Sequence, residues 1–123
     1  MGTNLQQYCS KLAEKATIAY KTANDGSIIA IVAGYTHDLP DDLGSYITQV
    51  GTLSDYRRRG ISGELLLEYV EYARSIGVKY VWLTVDQNNF GAIKSYEKCG
   101  FRPELTLTNH ITGKTQIRYR KDW

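Results

Sequence analysis

The stretch RRRGIS at residues 57–62 stands between a predicted strand that ends at Leu53 and a predicted helix that begins near Gly60. A helix N-terminus presents unpaired backbone N–H groups and a partial positive charge. Gly60 lets a ligand approach the backbone closely, a small Ser62 keeps the first turn open, and the arginines add charge. The junction is therefore predicted to bind an anion, and a phosphate or pyrophosphate suits it best.

A simpler interpretation of the same residues is a solvated run of arginines followed by an ordinary loop glycine. The isolated motif leaves both interpretations open. Two other phosphate-binding patterns are excluded, because the chain contains neither Gly-x4-Gly-Lys-Ser/Thr nor Gly-x-Gly-x-x-Gly.

Three elements are predicted downstream of this junction. Residues 60–76 carry one apolar stripe at helical spacing, and Gly77 ends the helix. Residues 78–86 are apolar almost throughout, which is typical of a central strand covered on both faces. A second helix is predicted over residues 89–99, and Gly100 ends it.

The flanking segments complete a mixed sheet. The spacing of Leu5, Cys9, Leu12 and Ala16 predicts an N-terminal helix over residues 4–16. Further strands are predicted over 17–22, 27–35, 46–53, 102–109 and 114–120, with a loop over 37–44. Asn24-Asp25-Gly26 predicts a hairpin turn. The unit from 46 to 86 is expected to be a right-handed parallel crossover, and both terminal hairpins are expected to be antiparallel.

Length, composition and net charge limit the class of protein to which the chain can belong. The 123 residues suit one domain over 1–123, and 42% hydrophobic residues suffice for a core. A net charge of +2 does not argue for nucleic acid, and no membrane span or signal peptide is predicted. The two cysteines lack metal-ligand spacing. We expect a cytoplasmic protein without a metal.

Two motifs in order carry a family resemblance. The first is Arg57 to Ser62, and the second is NFGAIKSYEKCGF at residues 89–101. They resemble the Gln/Arg-x-x-Gly-x-Gly/Ala loop and the Asn-x-x-Ala-x-x-x-Tyr-Glu-Lys-x-Gly-Phe segment of the GNAT superfamily of N-acetyltransferases. Ser62 departs from the Gly/Ala of the first motif, but it is small. The resemblance covers roughly residues 27–103, with one helix and one apolar strand between the two motifs.

The resemblance implies an α/β (α+β) GNAT-like, acyl-CoA N-acyltransferase fold with a mixed, mostly antiparallel sheet, and acetyl-CoA as co-substrate. Strand 46–53 would splay from strand 78–86 and hold the pantetheine arm near Leu53, and Asn89 would contact that arm. Tyr96 would protonate the departing thiolate. The pyrophosphate would bind the loop formed by Arg57, Arg58, Arg59, Gly60, Ile61 and Ser62.

The same residues have structural interpretations. Tyr96 shares an apolar stripe with Ala92, Ile93 and Cys99, so it could be a core residue, and Asn89 could cap its helix. Gln49 stands where family members often carry a glutamate base. His37 and His110 are predicted to be surface residues, although either is a possible hidden base.

The acceptor is open at this stage. A small-molecule or peptide amine is expected, with neither nucleic acid nor membrane as partner, and the acceptor pocket could be open or completed by a second subunit in a homodimer. The alternative function is a non-catalytic acyl-CoA-binding regulatory module, which the missing glutamate favours and Tyr96 opposes.

Overall fold

The computed structural model describes residues 2–11, 14–37, 43–57 and 59–123, and side chains from residue 16 onward. Within these residues the chain forms seven strands and two α-helices. The helices are α1 (Ile61–Ser75) and α2 (Phe90–Lys98). The strands are β1 (Gly2–Lys11), β2 (Glu14–Thr22), β3 (Ile28–His37), β4 (Gly44–Thr52), β5 (Tyr80–Asp86), β6 (Arg102–Thr108) and β7 (Thr115–Asp122).

The strands form one mixed sheet in the order β1-β2-β3-β4-β5-β7-β6. Strands β4 and β5 are parallel, and the pairs β1–β2, β2–β3, β3–β4, β5–β7 and β6–β7 are antiparallel. This arrangement confirms that the crossover through α1 joins parallel strands and that the two terminal hairpins are antiparallel. No described helix is long and apolar enough to cross a bilayer.

The predicted N-terminal helix is wrong, because the described residues of 4–16 belong to β1 and β2. Leu5 and Cys9 are four residues apart, and a spacing of four fits the alternation of a strand as well as the turn of a helix. The backbone of β1 pairs with β2 from Gly2–Thr22 to Lys11–Glu14, so tertiary pairing decides between the two. Leu12 lies outside the described residues.

The other predicted elements are confirmed with shifts of a few residues at their ends. Strands 17–22 and 27–35 fall in β2 and β3, strand 46–53 begins two residues earlier as β4, and the closing pair matches β6 and β7. Both helices lie one residue inside their predicted bounds. Most of the predicted loop over 37–44 lies outside the described residues.

Helix α1 packs on one face of the sheet, and the core lies between them. Its buried side chains meet the buried faces of β3, β4 and β5. Side chains along β5 alternate, with Val81, Leu83 and Val85 buried on the α1 face and Tyr80, Trp82 and Thr84 only partly buried on the opposite face. The prediction of a strand covered on both faces therefore holds in full only for the α1 face.

The opposite face of the sheet, here called the free face, carries a row of stacked rings. The Tyr46 ring stacks on Tyr35 at 5.4 Å and on Trp82 at 5.2 Å between centroids. His37 also stacks on Tyr46, at 4.9 Å. Helix α2 packs with α1 rather than here, since Cys99 Sγ at its C-terminus lies 3.6 Å from the carbonyl oxygen of Gly63. No described helix covers the free face.

Strands β4 and β5 part after four residue pairs. Their parallel pairing runs from Gly44–Tyr80 to Ile47–Leu83 and goes no further, although both strands continue. On the other side of β4, Ala33 pairs with Gln49 and Gly34 with Ile47, so Thr48 is an extra residue in a β-bulge. A bulge bends its strand and increases the local twist. The bulge therefore coincides with the opening of a gap between the two strands.

Tyr69 of α1 holds the sheet next to this bulge. Its buried hydroxyl lies 2.9 Å from Oγ of Ser45, which donates to the carbonyl oxygen of Tyr35 at 3.1 Å. Burial raises the pKa of Tyr69 to about 12, so the phenol stays protonated. The ring fits only because Gly34 has no side chain: a β-carbon there would lie 2.5 Å from the Tyr69 hydroxyl and from the Tyr46 carbonyl oxygen.

We predict that Gly34→Ala lowers the free energy of unfolding by about 1–3 kcal/mol, because the added methyl must displace Tyr69 or the β4 backbone. Gly51→Ala is the matched control on β4, where the new β-carbon would meet only Ile31 Cγ2 at an ordinary 3.7 Å. Urea unfolding measures both variants. Equal stabilities for Gly34→Ala and Gly51→Ala would contradict this account of the Tyr69 contact.

Candidate active site

A cavity of about 250 Å³ opens where β4 and β5 part. It lies between the end of β4, the start of α1 and the first two turns of α2. Four of its lining residues were singled out from the sequence, and they come from the two motifs at residues 57–62 and 89–101. The lining residues are Val50, Gly51, Thr52, Arg57, Ser62, Asn89, Ala92 and Tyr96.

The N-terminus of α1 forms one wall of the cavity. Gly60 precedes the helix with φ 72° and ψ 9°, a left-handed conformation that favours glycine, and no side chain caps the helix. The first intrahelical bond runs from the Glu64 N–H to the Gly60 carbonyl oxygen at 3.0 Å. The N–H groups of residues 60–63 donate to no acceptor in the described part of the chain. They are available to an anion.

The arginines of the loop are not equivalent. Arg57 lines the cavity, and its Nε donates to the carbonyl oxygen of Thr52 at 3.2 Å. Arg59 is exposed, with its guanidinium carbon 5.1 Å from the centre of the Tyr56 ring. Arg58 lies outside the described residues. Ile61 buries its side chain in the core, so only its backbone N–H serves the loop.

Leu53 does not line the cavity. Its N–H donates to the Ile29 carbonyl oxygen at 2.8 Å, its own carbonyl oxygen accepts from Tyr56, and its side chain is exposed. Backbone groups along a strand point alternately to either side. Since Leu53 points toward β3, Thr52 and Val50 point toward the gap. The backbone of Val50 and Thr52, and not that of Leu53, therefore faces the gap.

Asn89 caps α2 and also lines the cavity. Its Oδ1 accepts from the Ala92 N–H at 3.2 Å, which satisfies one of the free donors at the helix start. The structural and the functional interpretations of Asn89 are therefore compatible. Sequence reasoning placed Ala92 only on the apolar stripe, but it also lies in the wall beside Asn89.

Tyr96 is partly buried and lines the cavity from α2. Its ring lies 6.3 Å from the Phe101 ring at an angle of 55°. Among the described residues no hydrogen-bond partner takes its hydroxyl. Burial raises the pKa of Tyr96, and the nearby Cys99 thiol adds a smaller effect in the same direction. The phenol therefore keeps its proton through the neutral range and can donate it.

Comparison with known proteins agrees with this geometry. Residues 2–101 match the model of the acetyltransferase (GNAT) family. The chain belongs to this family. The Xenopus laevis protein named "Probable N-acetyltransferase camello" is 30% identical over 103 residues, which is 80% of this chain and 47% of that protein. The chain spans less than half the length of the curated relatives it matches.

Solved GNAT structures share the fold. A Bacillus subtilis acetyltransferase in complex with CoA has a TM-score of 0.74 and 14% identity, with 90% of this chain and 78% of that chain covered. A Bacillus anthracis str. Ames acetyltransferase in complex with acetyl coenzyme A has a TM-score of 0.74 and 21% identity, with 94% and 66% covered. At these identities the likeness shows the fold of the GNAT family and no more.

The described part of the GNAT chain shows no carboxylate base on β4. Gln49 is exposed, and Gly44–Thr52 contains neither aspartate nor glutamate. His37 packs against Tyr46 on the free face, and His110 is exposed in the turn between β6 and β7. Neither histidine lines the cavity.

We predict that Asn89→Ala lowers the free energy of unfolding by about 1 kcal/mol, because the first turn of α2 loses its cap. Asn89→Asp is the control, since its carboxylate oxygen can still accept from Ala92 N–H. Thermal or urea unfolding of the ligand-free protein measures this effect apart from any binding role. A loss of the same size in both variants would show that the cap contributes little.

Proposed function

We propose that the chain is an acetyl-CoA-dependent N-acetyltransferase that transfers an acetyl group to a primary amine by direct attack in a ternary complex. One observation carries this proposal: the fold gathers Arg57, Ser62, Asn89 and Tyr96 around a single cavity at the point where β4 leaves β5. An anion site, a gap bordered by the backbone of β4 and a protonated phenol are three parts that such a reaction uses.

The residues present fit coenzyme A. The unpaired N–H groups of residues 60–63 suit a pyrophosphate, and the Arg57 side chain in the cavity wall adds positive charge. The backbone of Val50 and Thr52 faces the gap, where an extended chain with amide groups, such as pantetheine, can pair with it as a strand would. Asn89 and Ala92 close the opposite side of the gap.

Acetyl-CoA supplies a thioester whose carbonyl carbon a neutral amine can attack, with a thiolate as the leaving group. Tyr96 holds a proton at its hydroxyl and donates it to that thiolate. The amine loses its proton to solvent, because no carboxylate stands on β4.

The missing carboxylate also favours the alternative, a non-catalytic acyl-CoA-binding module. A panel of amines incubated with acetyl-CoA, with free thiol followed over time, separates the two functions. Thiol release that depends on any acceptor supports an acetyltransferase. Tight binding of acetyl-CoA without release for any amine would support the binding module instead.

We predict that Gly60→Asp abolishes the rise in melting temperature that acetyl-CoA causes in the wild type, because a carboxylate would stand beside the anion site. Gly60→Asn is the matched control, since it carries the same strain at positive φ and a similar volume without the charge. At least a tenfold weaker binding by the Asp variant than by the Asn variant is expected. A wild-type shift in Gly60→Asp would refute this placement of the site.

For Tyr96→Phe we expect a fall in kcat of about 10- to 100-fold, because the leaving thiolate loses its proton donor while the ring and its packing remain. The melting shift with coenzyme A should change little. Tyr56→Phe, next to the loop but outside the cavity, should keep wild-type turnover. Unchanged kcat in Tyr96→Phe would return this tyrosine to a structural role.

The absence of a base on β4 predicts a particular pH profile. At subsaturating acceptor the rate should rise about tenfold per pH unit until the pKa of the acceptor amine, because only the neutral amine attacks. Two acceptors whose amines differ in pKa should therefore level off at two different pH values. A bend at one common pH that disappears in His37→Ala or His110→Ala would reveal a base in the protein.

A further inference from the structure

Arg118 on β7 is an arginine of the free face whose terminal nitrogens have no hydrogen-bond acceptor among the described residues. Its guanidinium carbon lies over the Trp82 ring, 4.0 Å from the ring centre, which is a cation–π contact. Its Nε lies 3.1 Å from Oε1 of Glu104 without the alignment of a hydrogen bond. The contact with Trp82 and the ion pair with Glu104 thus hold the guanidinium in place and leave its terminal N–H groups unused.

Arg120, two residues later on the same face, differs in this respect. Its Nε and one terminal nitrogen donate to the two carboxylate oxygens of Asp122 at 2.7 and 2.9 Å. Its other terminal nitrogen donates to Glu104 at 3.4 Å. Both arginines stack on an aromatic ring of β5, but both terminal nitrogens of Arg120 already donate to carboxylates, whereas neither terminal nitrogen of Arg118 donates to a described residue.

Arg118 lies one strand away from the gap, with β5 between them. It pairs with Thr84 across β5 and β7, and Thr84 is the first residue of β5 beyond the last β4–β5 pair, Ile47–Leu83. One strand spacing, about 5 Å, therefore separates the Arg118 position from β5 at the level where the gap begins. Helices α1 and α2 occupy the other side of the sheet, so an acceptor reaches the gap from the free face.

We propose that Arg118 binds a carboxylate of the acceptor, and that the acceptor is an amine that carries a carboxylate a few bonds from its nitrogen, as an amino acid does. This inference rests on the proposed acetyltransferase function. The planar fork of a guanidinium matches a carboxylate with two parallel hydrogen bonds. The stack on Trp82 holds that fork in place before the ligand arrives, which lowers the entropy lost on binding.

The rings next to Trp82 form a floor for the rest of the acceptor. Tyr46 and Tyr35 continue the row away from Arg118, and the edges of these stacked rings offer apolar surface to a side chain. In the transfer, the amine nitrogen bonds to the acetyl carbon and the carbon–sulfur bond breaks. The thiolate takes the proton of Tyr96, and the amine proton passes to solvent. Arg118 takes no part in bond making and only holds the acceptor.

The test uses pairs of acceptors that differ only in the carboxylate, for example L-phenylalanine and its carboxamide, with pairs based on glutamate and alanine beside them. Because the amines differ in pKa, rates are compared at equal concentrations of neutral amine. In the wild type we expect kcat/KM to favour the carboxylate member of at least one pair by tenfold or more. In Arg118→Gln that ratio should fall to about one, mainly through KM, while coenzyme A binding is unchanged.

Arg120→Gln is the control, because both terminal nitrogens of Arg120 already donate to carboxylates of the sheet. It should keep the preference for the carboxylate. A preference near one for every pair in the wild type would overturn the proposal. An equal fall in kcat/KM for both members of each pair in Arg118→Gln would also overturn it, since Arg118 would then only brace the sheet through Glu104.

A binding measurement keeps this inference separate from the proposed function. In Trp123→Phe the fluorescence comes from Trp82 alone, directly beneath Arg118. With coenzyme A present, the acids should change this fluorescence at concentrations at least tenfold lower than the carboxamides do, and Arg118→Gln should remove the difference. Carboxylate selectivity without any thiol release would retain the Arg118 site and refute the transferase. Thiol release with no carboxylate selectivity would support the transferase and refute the Arg118 site.

Discussion

The hydrogen bonds between β4 and β5 stop after the Ile47–Leu83 pair, and every other part of the candidate site is arranged around that interruption. Backbone groups in a sheet interior are otherwise satisfied by the neighbouring strand. Here Val50 and Thr52 face a gap instead, and α1 begins just beyond the end of β4 with unpaired N–H groups of its own. A ligand with an extended arm and a phosphate group can satisfy both sets of donors.

The fold maintains the gap by local packing. The bulge at Thr48 turns β4 aside, and the Tyr69 hydroxyl anchors Ser45 just before it. Gly34 on β3 leaves room for that tyrosine. Packing between α1 and β3 therefore fixes the position of β4 at Ser45. The position and the width of the gap between β4 and β5 are thus set by groups in the core, which lie away from the ligand.

Much of the site could be predicted from local sequence, because its parts are local structures. A glycine before a helix and an asparagine at the start of another are signals within a few residues, and Gly60 and Asn89 adopt the expected roles at the helix starts. The prediction of an N-terminal helix was wrong because a spacing of four residues fits both the turn of a helix and the alternation of a strand. Which residues of β4 face the gap could not be predicted, because that depends on the pairing of Leu53 with Ile29, which no local pattern encodes.

Contacts between distant segments gave no sequence signal at all. The stacking of Arg118 on Trp82 joins β7 to β5, and the row of rings across the free face joins β3, β4 and β5. Each of these residues alone is an ordinary half-buried side chain. Only the order of strands in the sheet brings them together on the face that no described helix covers.

Backbone amide NMR of the uniformly ¹⁵N-labelled protein, titrated with coenzyme A, tests the central claim most directly. The account predicts that the largest shift changes fall on the amides of residues 60–63, which meet the pyrophosphate, and on Val50 and Thr52, which border the gap. Leu53, whose N–H is bonded to Ile29, should respond less than Thr52. Saturable binding that leaves the amides of residues 60–63 and of Val50 and Thr52 unmoved would contradict the account.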